Sequence, residues 1–254
     1  EALAMRLGPD YLVALGMRYG NPSIASALRA LEGCEKIHII PLFPQYSSAA
    51  TGSAIEKALK CISDAWNAPA LHIVNEFYEH PGFIAACAEE IKQAIAKDPV
   101  DKLVFSYHGL PERHIDKSEC RAACNHQEAC PAVTSANAYC YRAQCYATTR
   151  ALAAAVGLSE DQYEVAFQSR LGRTPWIKPY TDLLLPELKK QGVKKIAVVS
   201  PSFIADCLET LEEINIRTRE QWLALGGENF IYIPCVNASP RWIDALVDLI
   251  QKKN

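Results

Sequence analysis

The chain has 254 residues, 50% of them hydrophobic and 22% charged, with a formal net charge of −3. That suffices for one large domain or two modest ones with real cores, and it offers no basic field to hold nucleic acid. No apolar run approaches the roughly 20 residues of a membrane span, and Glu1–Gly8 lacks the apolar core of a secretion signal, so a cytoplasmic location is expected.

In chain order, the pattern predicts a strand at Tyr11–Leu15, a helix at Ser23–Glu32, a strand at Lys36–Phe43 and a helix at Ala49–Trp66. A strand at Leu71–Asn75, a helix at Gly82–Lys97 and a strand at Lys102–His108 follow. Beyond a segment without period, Glu112–Ala138, come a helix at Asn137–Val156, a strand at Tyr163–Gln168 and a helix at Tyr180–Gln191. The chain closes with a strand at Lys195–Ser200, a helix at Phe203–Leu223, a strand at Asn229–Pro234 and a helix at Pro240–Lys252. Several strands are apolar on both faces, as strands covered on both sides by helices must be. The alternation predicts an α/β protein with one or two parallel sheets.

Open parallel sheets place ligands beyond the carboxyl ends of their strands. Those ends read Pro44-Gln45-Tyr46-Ser47, Tyr107-His108-Gly109, Gln168-Ser169-Arg170 and Ser200-Pro201-Ser202. His108 therefore stands where such a fold puts its chemistry; a hydrogen-bonded structural histidine is the plain alternative. Ser202 is expected to cap a helix starting at Phe203. On it Asp206, Glu209 and Glu213 fall three and four apart and share a face. They read either as a solvated face or as a line of hard oxygen ligands and proton carriers.

Ten cysteines are many for this length, and five of them, Cys120, Cys124, Cys130, Cys140 and Cys145, fall in one stretch. Clustered cysteines in a reducing compartment point to metal more than to disulfides. No C-x2-C pair of a zinc ribbon is present. Four thiolates from one loop suit a 2Fe–2S cluster. Zinc, or free thiols with one disulfide, are the alternatives.

Six stretches carry a specific resemblance: GMRYGNPSI (16–24), PLFPQYSSAATGS (41–53), FSYHGLPERH (105–114), YRAQCYATTRALA (141–153), FQSRLGRTPWIKPYTD (167–182) and SPSFIADCLETLEEI (200–214). In this order they resemble the ferrochelatases, enzymes that insert ferrous iron into a porphyrin at the end of heme synthesis. The resemblance implies two flavodoxin-like lobes of the type II chelatase architecture: an incomplete first lobe over 1–98, a second over 99–236 with a cysteine-rich insert at 116–145, and a C-terminal helix at 237–254 that returns toward the first. By match to the motifs, His108 is similar to the family's active-site histidine and Glu209 to its acidic partner; both would also contact the substrate iron. Met17, Arg18, Tyr19, Tyr46, Ser47, Gln168, Ser169 and Trp176 are similar to walls of the porphyrin cleft, although Trp176 also reads as ordinary core. Arg18 and Arg170 read as partners of propionates or as plain surface ion pairs.

The cysteine stretch resembles that of bacterial ferrochelatases with an internal 2Fe–2S cluster. Cys120, Cys124, Cys130 and Cys140 form the preferred set, with Cys145 as rival fourth ligand. Porphyrin and ferrous iron are the implied partners; protoporphyrin is favoured over coproporphyrin, and peripheral membrane contact and oligomeric state stay open. A non-catalytic tetrapyrrole or metal holder and an iron–sulfur sensor are the competing readings. The family's chain opens with a strand, a glycine-rich turn and a covering segment ahead of the point that Glu1 matches, so weak porphyrin binding by this chain alone is expected.

Overall fold

The computed structural model describes residues 1–118, 120, 124 and 129–251. Its larger sheet has four parallel strands in the order β4-β3-β5-β6, formed by β3 (Lys102–His108), β4 (Tyr163–Gln168), β5 (Lys195–Val199) and β6 (Asn229–Tyr232). Its smaller sheet pairs β1 (Lys36–Ile39) with β2 (Ala70–Ile73), also parallel. The helices are α1 (Ala2–Leu7), α2 (Ile24–Ala30), α3 (Ser53–Ser63), α4 (Pro81–Lys97), α5 (Glu112–Asp116), α6 (Tyr141–Val156), α7 (Thr181–Lys190), α8 (Leu208–Leu211), α9 (Arg219–Ala224) and α10 (Pro240–Gln251).

β3 is the organising strand. Its alternation sends Leu103, Phe105 and Tyr107 into a core shared with α4, α6 and α10. Val104 goes to a second core with Leu185, Leu188, Ile214 and Trp222. Both faces are covered, which is why the strand reads as a continuous apolar run. α10 packs on α4 and α1. Trp242 of α10 lies 5.3 Å from Phe77 and 5.8 Å from Phe83, centroid to centroid. The crossing is tight: a Cβ on Gly82 would sit 2.6 Å from that of Ala245.

Four expectations need correction. Tyr11–Leu15 is not a strand; no parallel partner pairs with it among the described residues, and Leu12 and Leu15 are exposed. An apolar run becomes a strand only when a neighbour satisfies its backbone. The helix expected from Ala49 begins as a π-helical turn over Ser48–Gly52 and becomes α-helical at Ser53. The segment expected to lack structure carries α5 at its start; of the rest, residues 119, 121–123 and 125–128 lie outside the described residues, as does Lys252 at the end of the last helix.

The fourth correction bears on the chemistry. Phe203–Leu223 is not one helix: Cys207 is extended (φ −146°, ψ −172°), α8 begins only at Leu208, and a π-helical stretch over Glu213–Thr218 leads into α9. Asp206 thus lies outside the helix and does not share a face with Glu209 and Glu213. Its carboxylate is held instead by Tyr232 OH, by Asn237 Nδ2 at 2.9 Å and by the Cys235 amide at 3.1 Å.

Candidate active site

The carboxyl ends of β3, β4 and β5 meet in one hydrogen-bonded group. Sheet register sets His108 opposite Gln168. Ser202 does not cap a helix; its Oγ accepts from the His108 amide at 2.9 Å. The His108 carbonyl accepts from Tyr141 OH, 2.8 Å away on the first turn of α6. The residue is therefore fixed at both backbone atoms by different elements.

Its ring is fixed too. Nδ1 lies 2.6 Å from the carbonyl oxygen of Gly109. A carbonyl only accepts, so Nδ1 carries the proton. In the neutral ring that tautomer puts the lone pair on Nε2, and no described residue hydrogen-bonds it. Trp176 and Phe203 flank the imidazole, with centroids 6.3 and 6.1 Å away. The bend that brings Trp176 close depends on Gly109, where a Cβ would meet Gln168 O at 2.8 Å and Trp176 Cε3 at 3.2 Å.

Gln168 is buried and fully engaged. Its Oε1 accepts from Ser106 Oγ at 2.9 Å and Ser200 Oγ at 3.2 Å. Its Nε2 donates to the Glu209 carbonyl at 2.7 Å and to Glu213 Oε2 at 3.4 Å. The strand end beside His108 thus holds the first turn of α8 in place. Glu213 accepts from the Ser169 amide at 2.8 Å and from Ser169 Oγ at 2.5 Å. Ser169 adopts φ +64°, a left-handed conformation uncommon for a residue with a Cβ. The π-helical turn begins at this same Glu213, an irregularity often found at functional sites.

The remaining wall residues are placed as follows. Trp176 is half-buried and donates from Nε1 to Leu171 O at 2.9 Å. Arg170 pairs with Asp182 at 2.6 Å, a surface ion pair. Arg18 donates to Ser53 Oγ at 2.8 Å and stacks on Tyr19, which is 76% exposed; Met17 is exposed beside it. The Tyr46 amide donates to Gln144 Oε1 at 2.6 Å, and its ring meets Tyr139 edge-on at 6.0 Å. Ser47 is buried and caps the Ser48–Gly52 turn by accepting from the Ala50 amide. Sequence reasoning missed Gly109 and Tyr141 as holders of His108 and Glu213 as the partner of Ser169. A glycine directly after a strand-end histidine was the available signal.

A hollow of about 1480 Å³ opens along the outer edge of β4, among Cys124, Arg142, Tyr163, Glu164 and Tyr180, on residues other than the His108 group.

Near that hollow lie the cysteines. Cys120 and Cys124 have their sulfurs 3.9 Å apart. Cys130 Sγ accepts from Nη1 of the buried Arg142 at 3.0 Å, and Cys140 caps α6. Burial pushes the Cys124 thiol up to about 11 and that of Cys140 up to about 12, and the nearby Cys120 adds to both shifts. Cys145 is fully buried one turn into α6. All ten cysteines are free. Among the described residues no group of three or more His, Cys, Asp or Glu side chains is already arranged to hold a metal ion, and no helix is long and apolar enough to cross a membrane.

Comparison with known proteins bears on the family and the fold. The ferrochelatase family model matches residues 1–254. A ferrochelatase of Legionella pneumophila (strain Philadelphia 1) is 52% identical over 251 residues, covering 99% of this chain and 75% of that protein. One of Coxiella burnetii (strain Dugway 5J108-111) is 47% identical over 255 residues, covering 99% and 71%. SirB of Bacillus subtilis, solved with Fe3+, superposes with a TM-score of 0.58 at 12% identity over 93% of this chain and 79% of its own. At that identity the likeness is one of fold, the type II chelatase architecture. The chain belongs to the ferrochelatase family, the lyases that insert ferrous iron into a porphyrin in heme synthesis.

Proposed function

We propose that His108 and Glu209 carry the metal insertion, with protoporphyrin as the macrocycle. The observation that carries this reading is the fixed tautomer of His108, its Nδ1 proton held by Gly109 O and its Nε2 left open. Insertion must release two protons: the porphyrin loses both pyrrole N–H protons as Fe2+ takes their place. His108 Nε2 accepts one, and the imidazolium that forms keeps its Nδ1–H bond to Gly109 O. Glu209, held by Gln168 through its backbone, offers a carboxylate to take the second proton or to steady the iron on approach. Met17, Arg18, Tyr19, Tyr46, Ser47, Gln168, Ser169 and Trp176 form the surrounding wall. Met17, Leu171 and Leu208 expose apolar side chains, at 43%, 78% and 76%.

The test is insertion of ferrous iron or zinc into protoporphyrin and coproporphyrin by the native enzyme, His108→Ala and Glu209→Gln, with porphyrin binding measured alongside. Turnover lost with binding kept supports the roles given. Loss of binding together with turnover favours a holder; faster turnover on coproporphyrin reassigns the substrate.

The cysteine segment supports a 2Fe–2S cluster on Cys120, Cys124, Cys130 and Cys140. The donor set fits: four soft thiols in one segment, three of them buried, two already adjacent, and a guanidinium on a third. Such a group brings one-electron chemistry, which iron insertion does not use, so its role is structural or sensory. Cys130→Ser is expected to lose colour and folded yield, and Cys145→Ser to keep both; the reverse pattern makes Cys145 the ligand. Free thiols throughout fit the reducing cytoplasm as its location.

A further inference from the structure

Outside this site, two histidines stand side by side on the smaller sheet. His38 and His72 are register partners of β1 and β2, so their side chains leave the same face. Their ring centroids are 5.1 Å apart with planes at 47°. His38 Nδ1 is buried, and no described residue hydrogen-bonds it. Buried polar atoms in folded proteins are almost always satisfied, so an orphan here requires a reason.

The spacing favours a ligand over simple ring packing. Two imidazoles on one tetrahedral ion, each bonded at about 2.0–2.1 Å, set their centroids roughly 5 Å apart. Lys36, two residues earlier on the same strand, adds a positive charge nearby, so an ion that imidazole binds weakly would not stay.

We propose that His38 and His72 are two ligands of a site for a borderline divalent ion of the zinc and nickel class, with water completing the coordination. The site lies on β1 and β2, apart from His108 on β3. It is accordingly independent of the metal-insertion step.

The experiment is a zinc titration of the holoenzyme followed by the ring signals of isotope-labelled histidine. The His38 and His72 signals, each assigned by its own substitution, are expected to move together and to saturate at one equivalent. His72→Ala should weaken the response of His38 at least about tenfold, the scale on which even supporting residues of metal sites act. Turnover should be unchanged. Rings that titrate independently, or stay still while zinc fills other positions, would overturn the proposal. If either alanine variant fails to fold, His38→Gln and His72→Gln supply the assignment and the same readout.

Discussion

Replacing Gln168 with leucine tests whether the strand ends and α8 act as one unit. Leucine matches the volume closely and removes four hydrogen bonds. Ser106 keeps a partner, because its Oγ also lies 2.7 Å from Thr181 Oγ1. Ser200 Oγ and the Glu209 carbonyl lose theirs. At ~1–3 kcal/mol for each group left unsatisfied, less the gain from burying leucine, the net cost is about 3 kcal/mol. In a chain of this size that lowers the melting temperature by ~6–12 °C. Because Gln168 holds the backbone of Glu209, turnover in zinc insertion should fall at least about tenfold, with porphyrin binding little changed, as expected when a positioning contact at the reacting atoms is lost. Thermal denaturation and a fluorescence assay of zinc insertion give both numbers. A melting shift under ~2 °C with full turnover would refute the idea that this amide couples the sheet to α8.

Three further outcomes are expected. With the proposed 2Fe–2S cluster in place, Arg142→Gln removes a cationic donor from Cys130 Sγ and should destabilise the reduced state; a tenfold change in the reduced-to-oxidised ratio is about 59 mV downward, readable in a redox titration followed by electron paramagnetic resonance. Burial pushes the Asp206 carboxyl up, but hydrogen bonds from Tyr232, Asn237 and the Cys235 amide outweigh it and hold the group below the usual carboxylate range. Its stabilisation is therefore present above a pH of about 3.9 and fades as pH falls through the lower folded value, so the melting gap between the native protein and Asp206→Asn should be widest near neutrality and close in acid. Gly109→Ala forces a methyl against Gln168 O and Trp176, and should cost both stability and turnover, as melting curves and zinc insertion will report.

Much of the larger sheet was legible because its strands are buried on both faces and end in polar residues. The run at 102–108 is mostly apolar before His108, broken by Lys102 and Ser106, and it is a strand over those same residues. Pairing was not legible, since it depends on partners distant in sequence; Tyr11–Leu15 has the composition of a strand and, among the described residues, no neighbour to make it one. The break at Cys207 was hidden for a related reason. Ile204, Leu208, Leu211 and Ile214 keep a helical period, and only the distant Tyr232, Cys235 and Asn237 draw Asp206 away from a helix. For the site, the residue types at the strand ends were readable, whereas their mutual support was not: nothing local announces that Ser202 serves His108 instead of capping a helix.

α6 acts as a beam with several fittings bolted to it. Cys140 sits at its start; Tyr141 holds the carbonyl of His108; Gln144 holds the amide of Tyr46; Thr148 donates to the carbonyl of Tyr78 and accepts from Gln45. These attachments fall within about 12 Å along one axis. His108 and Tyr46, each bonded to this helix, therefore keep their relative placement only while it keeps its register. A single residue gained or lost between Tyr141 and Thr148 would rotate the contacts on one side of it against those on the other by about 100°. A displacement of Cys140 at the head of the beam would reach the bonds to His108 and to Tyr46 through the same helix.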